Sequence, residues 1–505
     1  MARITFPQWL FPSRLYSAAQ VREFDRIAIE ECGIPGIVLM KRAGKACFEV
    51  LRQRWPEAQS VTVFCGAGNN AGDGFIIAAL AQQAGLPVQI ELVGTLDKLR
   101  GDARRAYEFA DQNKVPMQQF AAQRLIEPGV IVDALLGTGL DNEVREPYAA
   151  AIAQINASGE PVLAVDVPSG LSADSGAVLG SAVRADCTVT FIAMKQGLLT
   201  GRAPALIGAL HFADLQVPDE VLQKLPPSAR CLNLNQSLAK LPVRAADDHK
   251  GHFGHVLVVG GDHGMAGAAL MAGSAAQRCG AGLVSVATQP QHVPAFVSRC
   301  PELMVHGVKS GHDLQALLQS ASVVAIGPGL GHGPWSEQLL QRVLQTELPL
   351  VVDADALNML SELAAKQPIR RKNWVLTPHP GEAGRLQGQS TVEIQSDRYR
   401  SVRDLQHRYG GTALLKGAGT LICDNEAATS VCAYGNPGMA SGGMGDVLTG
   451  VIAALLAQHL CPGDAARLGA CLHAYSADLA AADEGQVGLA ATDLLPHLRL
   501  CLNNQ

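Results

Sequence analysis

Acidic and amide side chains follow three short apolar runs in the first half of the chain. One is the glycine-rich segment Gly66-Ala-Gly-Asn-Asn-Ala-Gly-Asp-Gly74; the others contain Asp133 and Asp166, each with a glycine a few residues further on. Ligands of open parallel sheets bind beyond the carboxyl ends of the strands. Each Asp alone is typical of a turn or a helix cap, but three at strand ends favour a shared polar cleft.

The same glycine-rich segment partly matches a dinucleotide-binding fingerprint. Gly66, Gly68 and Ala71 have the relaxed spacing, and Glu91 follows at the distance expected for a ribose-binding carboxylate. Glu91, however, lies inside a predicted strand rather than at its end, and the segment holds more polar side chains than a pyrophosphate requires. A dehydrogenase and an ordinary glycine turn both stay open on these residues alone.

The second half of the chain offers a lysine and an aspartate beside glycines. Lys416-Gly-Ala-Gly-Thr420 follows an apolar run, and Gly442-Gly-Met-Gly445-Asp446 precedes a predicted apolar helix. Backbone N–H groups at a helix start form an anion cradle, with Lys416 as a point cation. Asp446 fits either proton transfer at a bound hydroxyl or a helix N-cap, and the extra glycines favour the first role.

Other polar residues give a weaker signal. His379, in Thr377-Pro-His-Pro-Gly-Glu382, follows an apolar run and either faces the same cleft or serves as a hydrogen-bonded structural residue. Asp353 and Asp355 could bind Mg²⁺ but lack a full ligand set. The histidines at 249, 252, 255 and 263 match no zinc-binding spacing.

Short apolar runs alternate with helical periodicity, which predicts parallel sheets built from βαβ units. A Pro226-Pro227 region without a long apolar run places the boundary near residues 225–240, and a further helix is expected over residues 17–31. The predicted strands are residues 61–65, 88–93, 130–133, 162–167, 188–192, 255–259, 283–288, 323–327, 348–353, 374–377 and 412–416. The main predicted helices are residues 75–84, 102–112, 446–458 and 465–482.

Composition limits the possible functions. The 505 residues are 48% hydrophobic and 17% charged, and the net charge of −6 argues against a broad nucleic-acid surface. No apolar run is long enough for a membrane span or a signal peptide. The twelve cysteines form no Cys-x-x-Cys pair, so we expect a reduced, cytoplasmic protein.

Taken together, the ordered motifs resemble one family, the bifunctional NAD(P)H-hydrate repair enzymes. In that family an NAD(P)HX epimerase is fused to an ADP-dependent (S)-NAD(P)H-hydrate dehydratase. The epimerase likeness rests on residues 66–74, 132–139 and 165–170, and the dehydratase likeness rests on residues 250–254, 327–331, 353–358, 377–382, 416–420 and 442–446.

This resemblance implies an α/β protein of two domains. Residues 1–225 would form a Rossmann-like three-layer sandwich, the epimerase, and residues 226–505 a ribokinase-like α/β domain, the dehydratase. The first would interconvert (R)- and (S)-NAD(P)H hydrate. The second would remove water from the C6-hydroxylated ring of the S form, with ADP as co-substrate and AMP and phosphate as products.

The resemblance also implies residue roles. From their positions we also expect Asp166, which ends a strand at the cleft, to be the acid–base residue of the epimerase, and Asp446, which follows the glycine-rich cradle, to transfer the proton in the dehydratase. The epimerase substrate contacts would be Asn69, Asn70, Ala71, Gly72, Asp73, Gly137, Thr138, Gly139, Leu140, Asp141, Asn142, Glu143 and Asp166. The dehydratase substrate contacts would be Ala269, Gly329, His379 and Asp446. The ADP contacts would be Lys416, Gly417, Ala418, Gly419, Thr420 and Gly445. Potassium would bind near Asn70, Asp133 and Ser169, and Mg²⁺ is expected in the dehydratase.

Two alternatives remain at this point. The second half also suits a ribokinase-like kinase of a small alcohol, because fold analogy does not fix the reaction. The first half could be a nucleotide-binding scaffold that catalyses nothing. For the repair enzyme we expect NADHX and NADPHX as small-molecule partners, no nucleic acid, no membrane, and assembly into a homo-oligomer.

Overall fold

The computed structural model describes residues 12–122, 124–425 and 428–503. The chain divides into two compact units, one ending at Ala229 and the other beginning at Arg230. Both are mixed α/β, as predicted. Along the described ranges, no helix combines the length and apolar character that crossing a membrane requires.

The first unit is built on a seven-stranded sheet in which every pairing is parallel. Its order is β4-β3-β2-β5-β6-β7-β9, so β2 lies between β3 and β5. Strands β1 and β8 form a further parallel pair outside these seven strands. Strands β2, β5, β6 and β7 are buried along their whole length, which explains their continuous apolar runs. The strands are β1 (Arg14–Tyr16), β2 (Val61–Cys65), β3 (Val88–Leu92), β4 (Met117–Gln119), β5 (Val130–Ala134), β6 (Val162–Val165), β7 (Cys187–Phe191), β8 (Met194–Lys195) and β9 (Ala209–Ala213).

The helices of this unit bury one apolar stripe each against the sheet or against another helix. The first begins at a capping box, in which Ser17 Oγ accepts from Gln20 N at 3.2 Å and Gln20 Oε1 accepts from Ser17 N at 3.0 Å. The helices are α1 (Ala18–Glu30), α2 (Gly36–Arg54), α3 (Asn69–Gln83), α4 (Gly101–Gln112), α5 (Tyr148–Ala157) and α6 (Asp219–Gln223), with 3₁₀ turns at Leu96–Lys98, Gln196–Leu199 and Ala203–Ala205.

Helix α3 begins at Asn69, six residues before the predicted start. Two of the glycines taken for a loop therefore belong to its first turns, where they allow close packing. A Cβ at Gly72 would lie 2.5 Å from Met40 Sδ, and one at Gly74 would lie 2.6 Å from the Ala134 Cβ. Only residues 66–68 remain as a turn between β2 and α3.

In the part of the second unit that the structure describes, nine strands follow one another in the order β13-β12-β11-β14-β15-β16-β17-β18-β19, and β10 lies next to β19. The pairings from β13 to β17 are parallel, and β17-β18-β19 are antiparallel. The antiparallel strands were not predicted. The strands are β10 (Ala229–Cys231), β11 (His255–Val259), β12 (Leu283–Thr288), β13 (Met304–Gly307), β14 (Val323–Ile326), β15 (Leu350–Val352), β16 (Trp374–Leu376), β17 (Thr412–Leu415), β18 (Thr420–Cys423) and β19 (Thr429–Cys432).

Two long helices of this unit are apolar on nearly every face because they are buried. One of them, α16, packs closely on α8, and a Cβ at Gly450 would lie 2.0 Å from the Ala272 carbonyl oxygen. The helices are α7 (Leu234–Leu238), α8 (Ala266–Arg278), α9 (Val293–Arg299), α10 (Leu314–Ser320), α11 (Pro334–Leu344), α12 (Ala354–Lys366), α13 (Pro380–Gln387), α14 (Thr391–Ser396), α15 (Arg398–Tyr409), α16 (Met444–Ala457), α17 (Pro462–Glu484) and α18 (Leu494–Asn503), with 3₁₀ turns at Lys250–Phe253, Pro290–His292, Pro437–Met439 and Ala491–Asp493.

Candidate active sites

A cavity of about 500 Å³ opens at the carboxyl ends of β2, β5 and β6 in the first unit. The predicted site residues that line it are Asn69, Asn70, Asp73, Gly137, Thr138, Gly139, Leu140 and Asp166. Ala71 and Gly72 are buried within α3, and Asp141, Asn142 and Glu143 are exposed further along the loop, outside the lining. The strand-end argument therefore located the cleft, which is where this class of sheet binds ligands.

Asp166 is a carboxylate of this cavity that accepts hydrogen bonds from several donors. Its Oδ1 accepts from Thr190 Oγ1 at 3.1 Å and from Phe191 N at 3.2 Å, and it forms an ion pair with Lys195 Nζ. Its backbone has φ of +66°, uncommon for a residue with a side chain. The Lys195 side chain is 1% exposed and that of Asp166 is 15% exposed, so Asp166 presents its charge to the cavity.

The sequence interpretation missed two residues of this cleft, Asp25 and Lys195. Asp25 lies on α1, and burial raises its pKa from 3.8 to about 6, with Lys195 opposing and Asp166 adding to the rise. Burial, together with Asp166 and Asp25, also raises the pKa of Asp73 well above its ordinary value. Both missed residues carry a signal in hindsight, because each is a charged residue within an apolar pattern.

The predicted potassium ligands lie next to one another: Asn70 lines the cavity, and Asp133 and Ser169 are buried next to it. Asp133 is fully buried; its carboxylate accepts from Ser169 Oγ at 2.6 Å and Ser169 N at 2.8 Å. The Leu136 carbonyl oxygen receives bonds from Ser169 Oγ at 3.1 Å and Asn70 Nδ2 at 3.2 Å. Burial raises the pKa of Asp133 to about 6, and the groups that donate hydrogen bonds to it, from Ser169 and Leu135, are neutral. A buried carboxylate among neutral oxygen ligands fits a weakly held monovalent cation.

The second unit brings together the carboxylates and the lysine predicted for the dehydratase. Lys416 Nζ lies 2.7 Å from Asp353 Oδ1 and 3.8 Å from Glu382 Oε2, and Thr449 Oγ1 donates to the other Asp353 oxygen at 2.8 Å. The Asp353 side chain is 1% exposed and that of Lys416 is 20% exposed. Burial alone would lower the pKa of Lys416, but Asp353 and Glu382 outweigh it and the pKa is raised. Lys416 is therefore a fixed cation held by a carboxylate beneath it.

Asp446 lies in the first turn of α16 beside this ion pair. The N-cap of that helix is Gly443, with φ of +90°, so the alternative that made Asp446 the cap is wrong. Burial and the nearby Asp353 carboxylate raise the pKa of Asp446 to about 7, although Lys416 opposes the rise. Asp446 therefore exchanges a proton near neutral pH, as a proton-transfer residue must.

The predicted ADP segment connects β17 to β18 and includes two glycines with positive φ, Gly417 at +138° and Gly419 at +62°. Its support is Arg398, which the sequence interpretation missed. Arg398 is 1% exposed and donates to the carbonyl oxygens of Leu415 at 3.2 Å and Lys416 at 3.3 Å. Burial lowers the pKa of this guanidinium to about 10.

The remaining residues predicted for the dehydratase, His379, Ala269 and Gly329, lie at positions that support the local backbone or packing. His379 is the N-cap of α13: its Nδ1 accepts from Gly381 N at 3.0 Å, and its own N–H donates to Glu382. The Ala269 side chain is fully buried in α8, and Gly329 has φ of +58° against Met265. Among the described residues, no group of three or more His, Cys, Asp or Glu side chains is arranged to hold a metal ion.

Comparison with known proteins agrees with this division. The family described as NAD(P)H-hydrate dehydratase matches residues 256–499, and the family described as YjeF-related protein N-terminus matches residues 36–197. A bifunctional NAD(P)H-hydrate repair enzyme of Coxiella burnetii is 50% identical over 489 residues, 97% of this chain and 99% of that protein. The enzyme of the same name from Escherichia coli is 43% identical, over 97% of this chain and 94% of its own.

A solved structure supports the fold of the second unit. A ribokinase-like superfamily protein of Enterococcus faecalis is 31% identical with a TM-score of 0.50, covering 55% of this chain and 95% of that one. The predicted ribokinase-like fold is thus confirmed. On the near full-length identity to its relatives, the chain belongs to the family of bifunctional NAD(P)H-hydrate repair enzymes.

Proposed function

We propose that the cleft of the first unit interconverts (R)- and (S)-NAD(P)H hydrate and that the cleft of the second unit dehydrates the S form at the expense of ADP. The observation that carries the proposal is that a chain of this family has one aspartate in each cleft, in two different electrostatic environments. Asp166 is held beside Lys195, whereas Asp446 has a pKa raised to about 7 by burial and by Asp353. The first is suited to act as a base and the second to move a proton near neutral pH.

In the second cleft, Lys416 and the backbone N–H groups at the start of α16 would receive the phosphates of ADP. Asp353 fixes the ammonium of Lys416 at 2.7 Å and so sets where the phosphates bind. Asp446 then removes or supplies the proton at the hydroxyl of the hydrate. Asp353 and Asp446 repel one another and Lys416 offsets them, so these two carboxylates would hold a Mg²⁺ ion, which would supply positive charge beside the phosphates.

In the first cleft, Asp166 would act as the acid–base residue, and the Asn70, Asp133 and Ser169 group would hold potassium. That ion would orient a polar part of the substrate and neutralise Asp133. Support comes from the geometry, in which a fully buried carboxylate has neutral hydrogen-bond partners. We also infer a reducing, cytoplasmic location, because all twelve cysteines are free and eight of them are buried.

One assay tests both activities. A mixture of R and S hydrates is incubated with the protein, and the near-ultraviolet absorbance of NADH is followed with and without ADP. Complete recovery that depends on ADP requires both activities, whereas recovery of the S fraction alone would leave the first unit without its proposed role. No recovery, or a stable phosphorylated alcohol formed from ATP, would favour the ribokinase-like kinase instead.

A further inference from the structure

Asp25 occupies an unusual position on helix α1. Val21, Phe24 and Ala28 form the buried stripe of this helix, and Asp25 lies next to that stripe, where it lines the cavity that also contains Asp166. A half-buried carboxyl beside an apolar stripe is unfavourable for stability unless it is paired. Its retention at the cavity wall therefore points to a role toward a ligand.

Asp25 and Asp166 differ in the hydrogen bonds that their carboxyl groups accept. Asp166 accepts from a hydroxyl, a backbone N–H and an ammonium. Across residues 12–122, 124–425 and 428–503, the carboxyl groups of Asp25 and Asp73 have no hydrogen-bond donor within the protein. Donors stabilise a carboxylate in its charged form, and of these three carboxyl groups Asp166 is the one that has them.

The groups that face Asp25 come from several elements. They are Asp73 of α3, Asp166 after β6 and Lys195 of β8, while Cys47 of α2 lies near Asp73 and Asp166. Arg22, on the same helix as Asp25, directs its guanidinium to the Thr138 carbonyl oxygen at 3.1 Å. Three carboxyl groups thus share one buried ammonium, and at least one must retain a proton in so dry a site.

Inversion at a carbon that bears a hydroxyl requires two proton carriers. One gives a proton to the oxygen that leaves, and the other takes a proton from the water that returns on the opposite side. Asp166, whose carboxylate accepts from three donors, suits the second task. The first task needs a carboxyl that is protonated and free of donors within the protein.

We propose that Asp25 is a further catalytic residue of the epimerase cleft and that it protonates the departing hydroxyl of the hydrate. This inference rests on the proposed epimerase function. The C6–O bond breaks, its electron pair leaves with the oxygen as water after taking the Asp25 proton, and the ring-nitrogen lone pair forms a C=N bond. Water then attacks C6, the C=N pair returns to nitrogen, and Asp166 takes the released proton. In the reverse direction the two carboxyls exchange roles.

A pH dependence accompanies this assignment. The pKa of Asp25 is raised to about 6, chiefly by burial, and burial together with Asp166 and Asp25 also raises the pKa of Asp73 well above its ordinary value. The fraction of Asp25 that carries a proton falls as pH rises through about 6. The rate of conversion of R to S should therefore fall as pH rises through about 6, which gives the pH–rate profile a descending limb near pH 6. A variant without this carboxyl should lack that limb.

The test uses the full-length protein and the pure R hydrate without ADP, with the S epimer measured by chromatography between pH 5 and 9. Asp25→Asn should slow conversion by roughly 100-fold and remove the limb near pH 6. Asp25→Glu should restore most of the rate and move the limb. Asp102→Asn, which removes another carboxyl from the same cavity wall, should keep the wild-type profile.

A wild-type rate and pH profile in Asp25→Asn would overturn the inference, and so would a slower rate with an unchanged limb, which indicates a structural role. Should the Asn variant fail to fold, an unmoved limb in Asp25→Glu would overturn it equally. If the wild-type protein itself makes no S epimer from R, the proposed epimerase function fails instead. The two failures are therefore distinguishable.

Discussion

At the scale of single residues, this protein uses one side-chain type in contrasting environments. Asp166 has three donors, including an ammonium, whereas Asp446 faces Asp353 across a half-buried site and has a pKa of about 7. Asp133 is buried among neutral oxygen atoms. Environment rather than residue type therefore separates the proposed base, the proposed proton carrier and the proposed cation ligand.

The raised pKa of Asp446 predicts a stability change with a defined sign. Between about pH 4 and pH 7 the unfolded chain has lost this proton while the folded protein keeps it, so folding loses stability as pH rises. Asp446→Asn should remove a penalty on the order of 2 to 4 kcal/mol at pH 8 and a smaller one at pH 5. Thermal unfolding without nucleotide at both pH values measures this difference.

Asp464 provides a control of opposite sign. Burial alone would raise the pKa of Asp464, but Lys240 at 2.5 Å and Arg467 at 3.0 Å lower it. Its charged form therefore stabilises the fold, and Asp464→Asn should lower the melting temperature at pH 8. Equal destabilisation by both substitutions would contradict the account of Asp446.

The reactive residues that the sequence made visible share a position. Asp166 and Asp446 lie near glycines at the end of a strand or the start of a helix. At such positions a polar residue is recognisable from sequence as a candidate site residue. Asp25 and Lys195 lie next to apolar residues and Arg398 begins a polar helix, and the importance of all three depends on partners distant in sequence. Local spacing does not encode such partners, which is why these three were missed.

At the scale of elements, Arg398 at the start of α15 determines the shape of the ADP segment. Its guanidinium holds the carbonyl oxygens of Leu415 and Lys416, and it lies where a Cβ on Gly417 would be 3.0 Å away. One buried side chain thus ties a helix to the end of β17 and to the positive-φ segment that follows. The segment is preorganised for phosphate by a contact that does not itself reach solvent.

Replacing this support should affect nucleotide use more than folding of the first unit. Arg398→Met should raise the KM for ADP about tenfold or more in dehydration of pure S hydrate, because Lys416 loses its fixed position. Arg398→Lys should recover only part, since an ammonium cannot reproduce the guanidinium fork.

The control is Arg400→Met on the same helix, an exposed residue 3.6 Å from Asp404, which should leave the KM unchanged. Equal effects at the two positions would show that α15 matters only for stability. An unchanged KM in Arg398→Met would remove Arg398 from the positioning of ADP.

Elements were predictable where the hydrophobic pattern was long. Strands β2, β11 and β12 have the predicted bounds, because continuous apolar runs between turns leave little choice. The start of α3 was placed late, since glycines that allow close helix packing look like turn residues. The antiparallel β18 and β19 are four residues each, too short for a periodic signal.

At the scale of the whole molecule, the chain carries two clefts in two separate α/β units. Each cleft has its own carboxylate and its own buried lysine, Asp166 with Lys195 and Asp446 near Lys416. Each lysine is held by a carboxylate of its own unit. The proposed catalytic aspartate of each site and the lysine near it therefore belong to the same unit.

Independent sites predict that two inactive chains complement each other. Asp166→Ala should leave the R hydrate unchanged yet dehydrate pure S hydrate at the wild-type rate. Asp446→Ala should convert R hydrate to S hydrate at the wild-type rate yet not dehydrate the S hydrate. Mixed in one tube with ADP, the two variants should convert a mixture of R and S hydrates fully to NADH, because the S epimer made by one chain diffuses to the other. Recovery is followed by absorbance, with each variant alone as control. If the mixture recovers no more than Asp166→Ala alone, the S epimer must pass between the sites of a single chain, and the two clefts are coupled rather than independent.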